Sequence, residues 1–285
     1  MSGGVLAVQF LAKCATDIRE RLPNREVDVN YTDEIARAAT LLCEARYAVA
    51  LTGAGISTPS GIPDFRSPGS GLWERVNPVI VASIHAFRIR PKAFFDWVRP
   101  LAEKMMAAEP NPAHLALAEL EAAGCLQAVI TQNIDGLHQR AGSREVLEVH
   151  GHVREATCTR CHTVVPTGDF LDDFLGSNEV PRCAVCGGVM KPDVVLFGEQ
   201  LPAGVLNAAQ AHVRRADLLL VAGSHLDVMP ASQLPFLVHE RGGRIIVVNL
   251  METYIDAAAE VVIHADVADV LPRIARACAQ ARGEG

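Results

Sequence analysis

Short apolar segments that alternate with helical patterns constrain the fold of this chain most strongly. The segments are YAVAL (47–51), LQAVIT (126–131), DLLLVAG (217–223) and RIIVVNL (244–250), with EVVIHA (260–265) as a further strand candidate. Between them, apolar residues recur at helical spacing, as in TDEIARAATLLCEAR from Thr32. Continuous apolar strands separated by helices are typical of a parallel sheet that is covered on both faces. The sequence therefore predicts an α/β fold built on a parallel sheet.

Composition limits the classes of function. The chain has 285 residues, of which 49% are hydrophobic, so it can bury a full-sized core and carry a smaller insertion. Its net charge of -7 offers no basic surface for phosphates, and we expect no direct binding to nucleic acid. The apolar run VLAVQFLA (5–12) is too short for a membrane span and no basic region precedes it. We therefore predict a cytoplasmic protein without membrane contact, whose oligomeric state the sequence leaves open.

Two regions interrupt the alternation of strands and helices. One is rich in aromatic residues and prolines, and the other contains paired cysteines. We expect these two regions to form a smaller domain. The predicted limits are 1–31 for an N-terminal helical extension, 32–61, 113–152 and 191–280 for the sheet domain, 62–112 for the helical part of the small domain, and 153–190 for a zinc-binding module.

The eight cysteines fall into two groups. Four of them form the pairs CTRC and CAVC, in which a two-residue spacer lets both thiolates of a pair face one ion. These are Cys158, Cys161, Cys183 and Cys186. Four thiolates complete a closed tetrahedral site, so the sequence predicts structural Zn²⁺, and disulfides are the alternative. The remaining four are predicted to be separate small buried hydrophobes. They are Cys14, Cys43, Cys125 and Cys278.

Polar loops follow four of the predicted strands. GAGIS (53–57), TQNIDGLH (131–138), GSHLDV (223–228) and NLMET (249–253) each begin where a strand ends. Ligands of open parallel sheets bind at the carboxyl ends of the strands. We therefore expect the four loops to converge on one crevice.

The first loop has features of a phosphate-binding turn. Gly53 and Gly55 let the backbone turn sharply and approach a pyrophosphate closely. Thr58 stands where the third glycine of a GxGxxG fingerprint would be, so the motif alone is weak and an ordinary glycine-rich connection is the alternative. Prolines at 59, 63 and 68 stiffen the continuation, which favours a lid of defined conformation.

A set of motifs, taken together, resembles the sirtuin family of NAD-dependent protein-lysine deacylases. The motifs are GAGIS, GIPDFR, TQNIDGLHQRAG, HGHV, the two CxxC pairs, KPDVVLFGE, and a late NL followed by ET, in family order from about Thr32 to about Leu271. The resemblance implies a Rossmann-type NAD-binding domain, a small domain containing structural Zn²⁺, and an acyl-lysine tunnel between them. It also implies that NAD is a co-substrate, that acyl-lysine proteins or peptides are the partners, and that the acyl group is transferred to ADP-ribose.

The resemblance also assigns residues to the NAD site. Ile134 and Asp135 would hold the nicotinamide carboxamide, and Gln132 and Asn133 the ribose hydroxyls, with Asn133 counted as catalytic. The complete set of implied NAD-binding residues is Gly53, Ala54, Gly55, Ser57, Thr58, Asp64, Phe65, Arg66, Gln132, Asn133, Ile134, Asp135, His150, Gly223, Ser224 and, at the adenosine end, Asn249, Leu250, Asp266 and Val267.

Deacylation of this kind needs a base for a ribose hydroxyl, and imidazole titrates in the right range. His150, in EVHGHV, matches the catalytic histidine of the family, whereas the residues alone do not favour it over His138. His152 would share a face with His150 in a regular strand, so only a turn at Gly151 would separate them.

The segment VVLFGE is implied to line the acyl-lysine tunnel and to pair with the substrate backbone as an added strand. Val195 would accept the lysine amide hydrogen and Phe197 would form a tunnel wall, with Gly198 and Glu199 beside them. The stretch SPGSGLW, after Arg66, lacks the Tyr and Arg pair that holds acidic acyl groups in some relatives. Acetyl and longer neutral acyl groups are therefore expected.

One position departs from the family pattern. His225 stands where the family usually has a small hydroxyl residue, and it could bind the cofactor, crowd it or point away. Protein ADP-ribosyl transfer or NAD hydrolysis on the same fold is the alternative function. A non-enzymatic role is disfavoured because Asn133, Asp135 and His150 are all present, and a dehydrogenase because the GxGxxG pattern fails.

Overall fold

A computed structural model provides the fold and describes residues 30–64, 77–177 and 179–283. The predicted N-terminal extension lies outside these ranges except for its last two residues, and Phe65 and Arg66 also lie outside them. Among the described residues, no helix combines the length and the apolar character that a membrane crossing requires.

The strands and helices follow the predicted alternation. The strands are β1 (Ala48–Thr52), β2 (Ala128–Thr131), β3 (Val146–Glu148), β4 (Gly151–Cys158), β5 (Val164–Pro166), β6 (Met190–Val194), β7 (Leu218–Ala222), β8 (Arg244–Val248) and β9 (Val261–Ile263). The helices are α1 (Thr32–Glu44), α2 (Pro78–Val81), α3 (Ile84–Ile89), α4 (Pro91–Ala107), α5 (Pro112–Ala122), α6 (Leu137–Arg140), α7 (Leu171–Gly176), α8 (Ala203–Arg215), α9 (Leu234–His239) and α10 (Val267–Arg282). Short 3-10 turns connect several of them.

Six strands form one parallel sheet in the order β3-β2-β1-β7-β8-β9. The chain runs outward from β1 to β3 on one side and from β7 to β9 on the other. This reversal creates a switch point between β1 and β7, and a crevice opens there at the carboxyl ends of the strands. The predicted α/β class with a Rossmann-type sheet is confirmed.

Helices cover both faces of this sheet, which explains why β1 and β7 are buried at every position. On one face, Val49 and Leu51 pack with Ala209 and Val213 of α8 and Val238 of α9. On the other face, α10 packs against both α1 and α5. The sheet is thereby rigid, and its loops carry the polar residues.

A second, antiparallel sheet has the order β5-β4-β6. Next to it, α3, α4 and α7 pack through an aromatic cluster that includes Phe87, Phe94, Phe95 and Phe174. Strands β4 and β6 begin or end beside the crevice, at Gly151 and Val194, so this smaller unit is anchored to the site. The domain limits given above stay a prediction.

Candidate active site

A cavity of about 290 Å³ lies at the carboxyl ends of β1, β2 and β7. Its wall contains residues of the loops that follow these three strands, together with His150 and the segment 194–199. Apolar side chains of α4 complete the wall. They are Phe94, Trp97, Val98, Leu101 and Met105. The fourth predicted loop, 249–253, is not part of this wall, but it contacts His225 of the wall, whose Nε2 lies 3.4 Å from Sδ of Met251.

The glycines of the first and third loops allow their backbones to touch. The amide of Gly55 donates to the carbonyl of Gly223 over 2.9 Å, and Gly223 has φ +60. A Cβ on Gly223 would lie 2.3 Å from the nitrogen of Ile56, and one on Gly55 would lie 2.8 Å from the Gly223 oxygen. Only glycine fits at both positions. The floor of the crevice is therefore backbone alone, which suits the close approach of a pyrophosphate.

Two amide side chains connect the loops around this floor. Asn133 is buried and donates from Nδ2 to the carbonyl of Gly53 over 3.1 Å and to Oγ of Ser57 over 3.0 Å. Gln132 donates from Nε2 to Oγ of Ser224 over 2.9 Å. These bonds hold five predicted NAD-binding residues in one arrangement.

Asp135 lines the cavity and is half-buried beside a polar network. Its Oδ2 accepts from Oγ of Ser57 over 2.7 Å and its Oδ1 accepts from the amide of Leu137 over 3.0 Å. Burial raises the pKa of Asp135, and these hydrogen bonds oppose the increase. Oγ of Ser57 also lies 3.4 Å from Nε2 of His114, so the network continues into α5.

His150 presents one ring nitrogen to the cavity. Its Nδ1 lies 3.1 Å from the carbonyl of Gln132, and because a carbonyl only accepts, Nδ1 must carry the proton. Nε2 therefore holds a lone pair, and it is buried without a hydrogen-bond partner in the described part of the chain. Burial lowers the pKa of His150, and the hydrogen bond to the Gln132 carbonyl opposes this decrease. Because the pKa is lowered overall, the lone pair of Nε2 is available at neutral pH.

The turn at Gly151 separates His150 from His152, as the sequence requires. Gly151 has φ +78, and a Cβ there would lie 2.0 Å from the carbonyl oxygen of Asp193. His152 then points toward Glu155, with Nε2 3.9 Å from its carboxylate, and does not line the cavity. His138 is fully enclosed, with Nε2 2.9 Å from Oγ1 of Thr52. Of the three histidines weighed in the sequence, only His150 faces the cavity.

The stability of this region is expected to depend on pH. Burial lowers the pKa of His114 to about 4 and that of His138 to about 3, from an ordinary 6.5. Such a histidine stays neutral in the folded protein but is protonated in the unfolded chain below pH 6.5. The folded state therefore has its full stability above pH 6.5 and loses stability as the pH falls toward the pKa of the folded state. From pH 7 to pH 5 the free energy of unfolding should fall by about 2 kcal/mol per histidine. Denaturant titrations at both pH values test this.

His114→Gln should make that pH dependence shallower, because one buried histidine is removed. His239→Gln is the matched control, because His239 is exposed on α9 and should leave the dependence unchanged. An equal slope in wild type and His114→Gln would contradict the assignment of the effect to the buried pair.

The segment after β6 runs along the cavity. The amide of Val195 donates to the carbonyl of His150 over 2.8 Å, and Phe197 exchanges main-chain hydrogen bonds with Ala82 and Ile84. Gly198 turns the chain with φ +87. The carboxylate of Glu199 accepts from the amide of Leu196 over 2.8 Å and pairs with Lys191 at 3.0 Å. All four predicted substrate-binding residues, 195 and 197–199, line the cavity.

Five predicted NAD-binding residues are described but lie outside the cavity wall. They are Thr58, Asn249, Leu250, Asp266 and Val267. Asn249 is buried and donates to the carbonyl of Met251, Leu250 is exposed, and Asp266 caps α10 by accepting from the amide of Ala268. The assignment of Thr58 to the NAD site stays a prediction, as does the assignment of the other four to its adenosine end.

Sequence reasoning missed two groups of residues at this site. The apolar wall from α4 could not be found, because its spacing is that of any buried helix face. His114 carries a weak signal: a histidine stands on the buried face of an otherwise apolar helix, at a position that also closes a capping box with Asn111. Neither feature reveals which residue across the fold it meets.

The four paired cysteines form a compact cluster at the far ends of β4 and β6. Their sulfurs all lie within 4.8 Å of one another, with Sγ distances of 3.5 Å for Cys158 and Cys186 and 3.6 Å for Cys161 and Cys183. Four Zn–S bonds of about 2.3 Å in a tetrahedron place the sulfurs about 3.8 Å apart. The amide of Cys161 approaches Sγ of Cys158 and lowers the pKa of that thiol. The residues present therefore fit Zn²⁺.

A doubly wound sheet with a glycine-lined crevice at its switch point, beside a four-thiol module, defines a nucleotide-binding α/β protein. Comparison with known proteins identifies the family. The family model described as the Sir2 family matches residues 53–230, and the chain belongs to this family.

Individual relatives agree over most of the chain. A protein of Archaeoglobus fulgidus named NAD-dependent protein deacylase 2 is 46% identical, covering 88% of this chain and 99% of that protein. A structure from a study of the mechanism and regulation of Sir2 enzymes has a TM-score of 0.83 and 45% identity, covering 88% of this chain and 99% of the other. The structure of Sir2Af2 bound to a myristoylated histone peptide has a TM-score of 0.77 and 40% identity, covering 89% and 99%.

Proposed function

We propose that this chain is an NAD-dependent protein-lysine deacylase that removes acetyl or longer neutral acyl groups and releases nicotinamide, deacylated lysine and O-acyl-ADP-ribose. The observation that carries the proposal is the unpartnered Nε2 of His150 in the crevice at the switch point. Relatives named NAD-dependent protein deacylase and deacetylase support the same reaction class.

When bound, NAD supplies the nicotinamide–ribose bond that is cleaved and the ADP-ribose that accepts the acyl group. Asp135 and Ile134 are placed to hold the nicotinamide carboxamide, since both line the cavity. Asn133, fixed by Gly53 and Ser57, orients the ribose, as does Gln132. Nε2 of His150 then accepts a proton from a ribose hydroxyl, while Nδ1 keeps its own proton and donates it in a hydrogen bond to the Gln132 carbonyl.

The acyl-lysine is proposed to enter between the segment 195–199 and the loop 225–229, both of which line the cavity. Apolar residues of α4 and Phe197 would surround a neutral acyl chain. An acidic acyl group would lose its hydration among these side chains, and they offer it no charged partner. Sir2Af2, a relative, binds a myristoylated histone peptide. The reaction makes the enzyme an acyltransferase to ADP-ribose.

We also propose that Zn²⁺ at the four thiols is structural, because four protein ligands leave no open position. A cytoplasmic location remains a proposal, supported by thiols grouped for a metal rather than paired in disulfides. The absence of nucleic-acid and membrane partners is likewise proposed from the net charge of -7.

A product assay tests the proposed function. The protein is mixed with NAD and an acetyl-lysine peptide, and deacetylated peptide, nicotinamide and O-acetyl-ADP-ribose are measured by mass spectrometry. Equal amounts of the three products are expected. Nicotinamide without deacetylated peptide would refute deacylation and indicate NAD hydrolysis or ADP-ribosyl transfer.

His225→Ser is expected to leave deacylation within a few-fold of wild type or to raise it. The imidazole lines the cavity but rests against Met251, so its loss restores a small hydroxyl without breaking a contact inside the polar network. Steady-state kinetics with varied NAD measure the effect. A large loss of kcat/KM for NAD would contradict this view and make His225 a cofactor ligand.

A further inference from the structure

A second cluster of thiols lies in the described part of the chain, separate from the paired cysteines. It consists of Cys43, Cys125 and Cys278, whose sulfurs all lie within 4.8 Å of one another. From the sequence, these three residues are predicted to be separate small buried hydrophobes. The structure instead brings them to one point from three elements.

The packing of α10 explains this convergence. Cys278 lies in α10, Cys43 in the last turn of α1, and Cys125 in the connection between α5 and β2. Because α10 packs on both α1 and α5, their ends meet. The cluster lies near the amino ends of β1 and β2, whereas the candidate active site lies at the carboxyl ends. It is therefore a separate place on the sheet domain.

The three thiols are mostly buried, but the cluster can be reached from solvent. Cys125 and Cys278 are 1% exposed, while Cys43 is half-buried and provides access. Burial raises the pKa of both Cys125 and Cys278, so these thiols are neutral at physiological pH. Sγ of Cys278 lies 3.5 Å from the carbonyl of Ala39, which matches a thiol donor.

Because the three thiols are mostly buried, the net charge of the complex decides which thiophilic ion they favour. Thiols are soft donors that select thiophilic ions over Mg²⁺ or Ca²⁺. Three thiolates around a monovalent or divalent ion would leave net negative charge in a buried place, which is costly. Three thiolates around a trivalent centre leave no net charge. Arg282, whose guanidinium donates to the carbonyl of Ala123 nearby, is exposed, and its charge lowers the pKa of Cys125 by less than burial raises it.

We infer that Cys43, Cys125 and Cys278 form a three-thiol site that binds one thiophilic trivalent metalloid, with arsenite as its simplest source. Binding is a condensation of As(OH)₃ with three thiols. Three As–O bonds break, three As–S bonds form, and each thiol proton leaves in one of three water molecules. Arsenic stays trivalent, so no oxidant or reductant is needed. The inference does not depend on the proposed deacylase activity.

The bound metalloid would join α1, α10 and the connection before β2. These elements are held together by packing. A ligand that binds the folded state but not the unfolded chain raises the free energy of unfolding. The melting temperature should therefore rise with arsenite concentration. This effect should be independent of NAD and of acyl-lysine peptide.

The test uses the full chain with its zinc site loaded. Arsenite is titrated, and native mass spectrometry is combined with arsenic and zinc analysis. The expected result is one arsenic per chain, a mass gain of one arsenic less three protons, unchanged zinc content, and a higher melting temperature. No bound arsenic, or arsenic bound only as zinc is released, would overturn the inference.

Two variants make the test specific. Cys43→Ser changes the half-buried member, removes one of three linked bonds and should weaken arsenite binding about a hundredfold. Cys14→Ser, at the cysteine that lies outside the described residues, is the control for the loss of one thiol and should bind as wild type does. Equal affinity for arsenite in Cys43→Ser and wild type would overturn the proposed site. It would also be overturned if the protein bound no arsenic and two of the cluster cysteines were found joined in a disulfide.

Discussion

His150→Ala is expected to lower kcat for deacylation by about 10²–10⁴-fold, the usual contribution of a positioned general base. The variant removes the lone pair of Nε2 from the cavity but leaves the backbone hydrogen bond from Val195 to the carbonyl of residue 150 intact. The fold should therefore remain close to that of wild type. Quantifying deacetylated peptide and O-acetyl-ADP-ribose at saturating NAD measures the effect.

His152→Ala is the matched control for this experiment. His152 belongs to the same short segment but points toward Glu155, so its removal should change kcat by no more than a few-fold. A similar loss in both variants would mean that the segment matters only for folding. Wild-type kcat in His150→Ala would exclude His150 as the base.

The parallel sheet could be predicted from the sequence because its signals are local. Each strand is a short apolar run bounded by a helical pattern. Strands β2, β7 and β8 fall within the predicted segments, and β1 extends one residue beyond its segment, to Thr52. The meeting of the first three polar loops could also be predicted, because the carboxyl ends of parallel strands lie at the same edge of a sheet. The family resemblance then selected His150, and the turn at Gly151 gives the physical reason that His152 points elsewhere.

Contacts between distant elements could not be predicted in this way. The meeting of Cys43, Cys125 and Cys278 depends on how α10 packs on α1 and α5, which spacing along the chain does not encode. The contact of His114 with Ser57, and through it with Asp135, joins α5 to the first two loops of the sheet. Such contacts follow from the assembled fold rather than from any one segment.

Loss of the Zn²⁺ that we propose at the four paired thiols should abolish activity, although the thiols are remote from the chemistry. Strand β4 runs from Gly151 to Cys158, and β6 runs from Met190 to Val194. The thiol cluster therefore lies at one end of this strand pair, and His150 and Val195 lie beside the other end. Structural Zn²⁺ contributes about 10 kcal/mol or more to the folding of small zinc modules. Without it, the β4 and β6 pair should loosen and misplace both residues.

Cys161→Ser is the variant that tests this coupling, since Cys161 is the exposed ligand and its replacement perturbs packing least. We expect zinc content to fall well below one per chain, the melting temperature to drop, and deacylation to fall by at least about a hundredfold, as for loss of a structural metal. Cys43→Ser, which also removes one thiol, should retain zinc and activity. Full activity in zinc-free Cys161→Ser protein would show that the small sheet holds His150 and Val195 without the metal, and the proposed structural role would then be wrong.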